Sequence, residues 1–255
     1  MLKPKSEVVS WTVTQTFWGI LATILLFFFI AVAASLLPLI RIDTSVQLTP
    51  SSDLAHAVAT FFYDLVAEGI FLIVPFYMAY RFTLPAASGK RQIWSTLGFR
   101  GFDLRLALFL ILGFFAAIFI LNEAYSLLIS VLHLPLQVNS EQIYKQGKIA
   151  PLTTYTTLLL ATIYAPFCEE IFFRSFSFMG LKNGMSLVAA IFLSALIFAA
   201  AHFDPASFPV LFFIGLALAV VRWRTRSIWP GIVLHLLNNG LSAVLVVLAL
   251  HGVNI

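Results

Sequence analysis

The chain has 255 residues, of which 61% are apolar and 10% charged, and its mean hydropathy is +0.99. A soluble domain would be nearer half apolar and a quarter charged, so a water-soluble globular fold is excluded. The formal charge of +4 does not point to nucleic acid, because Lys and Arg in a membrane chain gather in the cytoplasmic loops. The single cysteine, Cys168, excludes an internal disulfide framework and a zinc–cysteine cluster.

Long apolar runs recur along the chain, and a helix needs roughly 20 such residues to cross a bilayer. The fold class read from them is all-α: one integral membrane domain over residues 1–255, a polytopic transmembrane helical bundle of about seven spanning helices, or eight, with the active site inside the bundle. The first run, about 11–40, follows Lys3 and Lys5. Its Ala31-Val32-Ala33 resembles a signal-peptidase site, but the run continues through Ile40, so a retained helix is expected. The second, about 55–81, carries Asp64 and Glu68 four apart; the third, about 104–133, carries Asn122-Glu123. Four more are read at about 151–182, 186–203, 208–222 and 228–250. Residues 1–134 supply N-terminal helices without a chemical motif, and 151–250 a catalytic core. Breaks fall at Asp43–Asp53, Ala86–Asp103, Leu134–Ala150, Lys182-Asn183-Gly184, Asp204-Pro205 and Arg222–Ser227. With seven spans, four basic clusters share one side: Lys3 and Lys5; Arg81, Lys90, Arg91, Arg100 and Arg105; Lys182; and Arg222, Arg224 and Arg226. That bias predicts a cytoplasmic N-terminus and an outer C-terminus. The expected location is a bacterial cell membrane, with the lipid bilayer as partner; the sequence points to no oligomeric state.

Ionisable groups in spanning helices are costly and mark function by default. Three groups stand at helical spacing in the last four segments. Glu169-Glu170-Ile171-Phe172-Phe173-Arg174 follows Pro166. Glu170 and Arg174, four apart with the acid first, form a favourable helical ion pair, whereas Glu169 is rotated away to another environment. Two carboxylates in separate environments suit a base and a structural partner. Phe198-Ala199-Ala200-Ala201-His202 ends an apolar helix whose alanines allow close helix approach. His235-Leu236-Leu237-Asn238-Asn239 places His235 and Asn239 on one face, equally consistent with interhelical hydrogen bonding. Segments 151–182 and 186–203 form a hairpin turning near Gly184. At 1.5 Å per residue Glu169 and His202 stand roughly 22 and 27 Å from that turn, nearly level. His235, roughly 12 Å up its own helix, requires tilt to join them. Cys168 reads as packing.

In this order, Glu-Glu-x-x-x-Arg, Phe-x-x-x-His and His-x-x-x-Asn resemble the CPBP family of intramembrane proteases (CAAX protease and bacteriocin-processing, or Abi). Residues 169–174, 198–202 and 235–239 match its motifs throughout, with Leu97-Gly98-Phe99-Arg100 as weaker support. The resemblance implies an intramembrane endopeptidase acting on a peptide or prenylated-protein substrate. It implies that Glu169 and His202 hold and deprotonate a water, and that His235 and Asn239 stabilise the oxyanion. Glu170 and Arg174 then position Glu169, and Phe198 packs beneath His202.

A glutamate mechanism without a metal cofactor is preferred over a zinc version in which Glu169, His202 and His235 make a His₂Glu set; no His-Glu-x-x-His occurs. Serine chemistry lacks a Gly-x-Ser-x-Gly elbow, aspartyl chemistry lacks a partner for Asp64, and adjacent acids oppose a Cys168–His202 pair. Two rivals stand beside proteolysis. One is a non-catalytic, immunity-type membrane protein. The other is a proton- or ion-coupled transporter using Asp64, Glu68, Asn122, Glu123, Glu169, Glu170 and the histidines, although no broken-helix repeat is visible. Enzymes that trim prenylated CAAX ends act towards the cytosol, whereas the charge count places the 183–184 turn there with Glu169 deep above it.

Overall fold

A computed structural model of the chain describes residues 9–40, 48–83, 92–136 and 139–253. Those residues form α1 (Val13–Ser35), α2 (Pro50–Phe82), α3 (Ile93–Thr96), α4 (Leu104–Val131), α5 (Asn139–Ile149) and α6 (Pro151–Glu169). A π-helix, π1 (Glu170–Ser177), follows, then α7 (Phe178–Lys182), α8 (Leu187–Ala201), α9 (Phe208–Thr225) and α10 (Trp229–Leu250). Among the described residues, six stretches are long and apolar enough to cross a membrane: α1, α2, α4, the continuous rod α6–π1–α7, α9 and α10. The chain is a multi-pass helical bundle, as composition requires.

Three expectations need adjustment. The span read at 186–203 is α8, whose 15 residues reach only about 22 Å. The break at Leu134–Ala150 contains α5, a polar helix that apolar patterning does not reveal. Helix α9 runs on to Thr225, so Arg222 is a fully buried side chain rather than a loop charge. Lys3, Lys5, Lys90 and Arg91, used in the charge count, lie outside the described residues.

The helices start where local chemistry satisfies their free N–H groups. Thr12 and Gln15 make a capping box for α1. Thr49 caps α2 with Pro50 at its first turn, Asp103 accepts from Arg105 N and Leu106 N, and Ser186 caps α8. The cap of α6 comes from another helix: Asp53 accepts from Leu152 N at 2.8 Å, Thr153 N at 3.0 Å and Thr153 Oγ1 at 2.7 Å.

That bond sets α2 parallel to α6. Farther along, Tyr164 Oη donates to Leu65 O, and Phe71 packs on Phe172 and Phe173. Helix α10 runs antiparallel, with Gly231 beside Glu170 and Asn239 beside Ala161. Helix α8 returns along π1, placing Phe198 on Phe173, and packs closely on α9 where Gly215 meets Ala195. The phenylalanines of π1 and α7 fill the core between these helices.

One end of the bundle is tied by Trp11 Nε1 donating to Phe176 O and Asn183 Nδ2 donating to Trp11 O. The 97–100 loop closes the same end: Ser175 Oγ donates to Leu97 O, Ile228 N to Gly98 O and Ser227 Oγ to Arg100 O. Gly98 is required there. Its φ is +84°, and a Cβ would stand 2.8 Å from the Arg222 guanidinium. Helix connectivity and these bonds gather Arg81, Arg100, Arg105, Lys182, Arg222, Arg224 and Arg226 at this basic end. At the opposite end, α8 and α9, about 22 and 27 Å long, fall well short of α2 at about 50 Å. Their connecting turn, held by Tyr125 Oη donating to Ala206 O, therefore lies recessed below the starts of α2 and α6. His202, at the end of α8, leads into that turn.

Candidate active site

The site is built around one change of helical winding. Pro166 supplies no backbone N–H, and just beyond it the rod loosens from α6 into π1 at the junction of Glu169 and Glu170. Short π segments concentrate at functional sites. Here the junction sends two adjacent carboxylates to different partners.

Glu170 and Arg174 are both fully buried, with Arg174 Nε 3.4 Å from Glu170 Oε1. His235 Nδ1 stands 3.4 Å from the same oxygen and is also buried. Helix α10 comes this close because position 231 is glycine; a Cβ there would lie 2.8 Å from Glu170 Oε2. The Arg174 guanidinium carbon lies 4.4 Å over the Phe198 ring. Glu170 is thus the anionic centre of a buried cluster joining π1, α8 and α10.

Glu169 faces the other way. Its Oε2 is 4.0 Å from His202 Nε2, and His202 keeps 28% of its side chain accessible. His202 Nδ1 is 2.8 Å from Phe198 O. A carbonyl can only accept, so Nδ1 carries a proton, and whenever the ring is neutral Nε2 turns its lone pair to Glu169. The Phe198 ring packs against both imidazoles, with centroids 4.7 Å from His202 and 5.7 Å from His235. Phe198 therefore does lie against His202, and it also joins His202 to the Glu170 cluster.

The structure brings Glu169 and His202 together and leaves His235 and Asn239 differently engaged from expectation. His235 pairs with Glu170. Asn239 Nδ2 donates to Ala161 O at 2.9 Å, and its Oδ1 accepts from Asn238 Nδ2 at 3.2 Å. The Asn239 amide is thereby fixed between α10 and α6, with one N–H left over. Because His235 turns to Glu170, the Glu169–His202–His235 set does not converge. Among the described residues, no three His, Cys, Asp or Glu side chains form a group that could hold a metal. These residues do not fit a three-ligand zinc site.

The other singled-out residues separate into two groups. Glu68, on α2, lies within electrostatic reach of Glu169 and of Asp64 one turn away. Glu123, on α4, is exposed. Cys168 is fully buried and hydrogen-bonded to Tyr164, a packing position. Sequence reading missed Gly231, Asn238 and Tyr164 as site neighbours. Gly231 could have been noticed as a helical glycine four residues before His235, facing the same way.

Comparison with known proteins finds similarity over the segment that carries the site. Residues 151–241, which carry all three motifs, match the model described as type II CAAX prenyl endopeptidase Rce1-like. An uncharacterized protein of Mycoplasma capricolum subsp. capricolum is 31% identical over 148 residues, covering 53% of this chain and 42% of that relative. The match thus spans less than half the relative's length. No solved structure matches. Over residues 151–241, the chain is similar to the Rce1-like family of type II CAAX prenyl endopeptidases.

Proposed function

We propose that the chain is an intramembrane endopeptidase in which Glu169 and His202 activate a water for attack on a peptide bond. The observation that carries this reading is the 4.0 Å separation of Glu169 Oε2 from His202 Nε2, both acceptors when the imidazole is neutral. A water donating to each at about 2.8 Å needs its two acceptors about 4.0–4.5 Å apart. Both its hydrogens are then engaged and a lone pair is left for attack.

In this reading the water oxygen bonds to the scissile carbonyl carbon as its proton passes to Glu169, with His202 holding the other hydrogen. Collapse of the tetrahedral adduct breaks the C–N bond, and the proton moves from Glu169 to the departing amine. The remaining N–H of Asn239 is the donor fixed in place for the oxyanion. His235 Nδ1 stands 3.4 Å from Glu170 Oε1; with a proton on that nitrogen, donation from Nε2 as well requires the doubly protonated ring, with Glu170 as its counter-ion. Glu170 and Arg174 hold π1, and with it Glu169, in register.

The substrate proposed is a peptide segment reaching the recess above the α8–α9 turn. The family name makes a prenylated C-terminus the first substrate class to test. The positive-inside rule places the basic end in the cytoplasm, so the recess faces outward. A cysteine-labelling topology map that put residue 204 in the cytosol would reverse that orientation.

The test uses purified protein in detergent with quenched prenylated and plain peptides, with and without a chelator. Cleavage by wild type that is abolished in Glu169→Ala and survives chelation is expected. Cleavage unaffected by Glu169→Ala would contradict the mechanism. A folded wild type that cleaves none of these peptides would favour the immunity-type reading.

A further inference from the structure

Helix α8 delivers His202 at its end, and Ser194 is the one polar residue along its 15 residues. Ser194 is fully buried, yet it has no place in the mechanism above. Positions 194, 198 and 202 are four apart and so share one face of α8. All three meet the rod. Ser194 Oγ donates to Phe173 O at 3.3 Å, the Phe198 ring centroid lies 5.2 Å from that of Phe173, and His202 Nε2 is 4.0 Å from Glu169 Oε2.

Apolar contact along this seam is non-directional, and among lipid tails no hydrophobic force favours one register of two helices over another. A slide of α8 along the rod would keep much of the Phe198 contact while carrying His202 off the level of Glu169. A hydrogen bond to a single carbonyl, by contrast, has one position along the axis. A helical serine can turn instead to the carbonyl four residues back in its own helix; Ser194 reaches across. Its acceptor belongs to the change of winding. Phe173 O also takes the N–H of Phe178, five residues on, which is the bond of a π turn. Ser194 thus ties α8 to the segment whose winding separates Glu169 from Glu170.

We propose that Ser194 is a positioning residue of this site, its hydroxyl fixing the register of α8 on π1 and so holding His202 within water-bridging distance of Glu169. The kinetic consequence rests on the peptidase reading; the register itself does not. A misplacement of about 1 Å at a reacting group costs about 100-fold in rate. A single interhelical hydrogen bond contributes little to the stability of a membrane bundle, so its loss should lower turnover far more than folding.

The experiment compares wild type with Ser194→Ala, Ser194→Thr and Ser194→Val in detergent. The last two add the same bulk and differ only in the hydroxyl. Per folded molecule, Ser194→Ala should lose about 10- to 100-fold in kcat with KM changed by less than about threefold, and Ser194→Val should turn over at least about 10-fold more slowly than Ser194→Thr. The register is read without turnover from the nitrogen-15 resonance of the His202 ring in histidine-labelled protein. Glu169→Gln should shift that resonance in wild type and shift it less in the Ser194→Ala background. Unchanged kcat in Ser194→Ala, equal turnover by Ser194→Thr and Ser194→Val, or the same Glu169→Gln shift in both backgrounds overturns the proposal. If wild type cleaves nothing, the peptidase reading fails and the His202 resonance alone decides the register.

Discussion

Replacing Arg174 with Met removes the charge from the buried cluster while keeping most of the side chain's length. Arg174 Nε lies 3.4 Å from Glu170 Oε1, and neither side chain is exposed. At an effective dielectric of about 20, unit charges at that distance attract by about 5 kcal/mol. Removing one member of a buried pair costs about 3–5 kcal/mol, because Glu170 stays buried with only the His235 imidazole beside it. The guanidinium contact with the Phe198 ring adds a smaller loss of about 1–2 kcal/mol. Arg174→Met should therefore cost at least about 3 kcal/mol in equilibrium unfolding in mixed detergent micelles. The Glu170→Leu/Arg174→Met double variant leaves no unpaired ion from this pair and should be less destabilised than Arg174→Met alone. Arg174→Met within about 1 kcal/mol of wild type, or single losses that simply add in the double variant, would refute the reasoning.

Gly231→Ala places a Cβ 2.8 Å from Glu170 Oε2, and the carboxylate is held by Arg174 and His235. The variant should lose about 1–3 kcal/mol of stability by overpacking, and peptidase activity should fall more than stability alone explains, read by unfolding and turnover in parallel. Asp53→Ala removes three hydrogen bonds from the start of α6, and its negative charge from the positive end of that helix. A loss of about 1–2 kcal/mol is expected in the same unfolding assay, with hydrogen exchange at Leu152 and Thr153 accelerating first. Unchanged exchange there would show that α6 does not depend on this cap.

Hydropathy made the bundle legible because each crossing must be apolar for roughly 20 residues, and α1, α2, α4, α6, α9 and α10 lie close to where the runs predicted. Spans shorter than a bilayer blur that signal: α8 joined to the polar turn around His202 read as a full crossing. Polar α5 carries no hydropathy signal at all. At the site, the division between Glu169 and Glu170 was readable from their adjacency, since neighbouring helical positions cannot share one environment. The meeting of Glu169 with His202 followed from a hairpin measured in residues per turn. The placement of His235 did not follow. It depends on how closely α10 approaches π1, which Gly231 decides through a contact 61 positions away in sequence from Glu170. The π-helix was also hidden, because its residues satisfy the i, i+4 spacing of an ordinary ion pair, and the 3.4 Å Glu170–Arg174 contact survives the change of winding. Asp53 read as part of a turn because its partner, the start of α6, lies 100 positions on.

The central claim is that Glu169 and His202 act as one unit on one water. Turnover of a cleaved peptide by Glu169→Gln, His202→Ala and the double variant tests it most directly. The account predicts that each single change lowers kcat by about 100-fold or more and that the double variant is no worse than the poorer single one. Losses that multiply in the double variant, or a His202→Ala enzyme that keeps wild-type turnover, would contradict it.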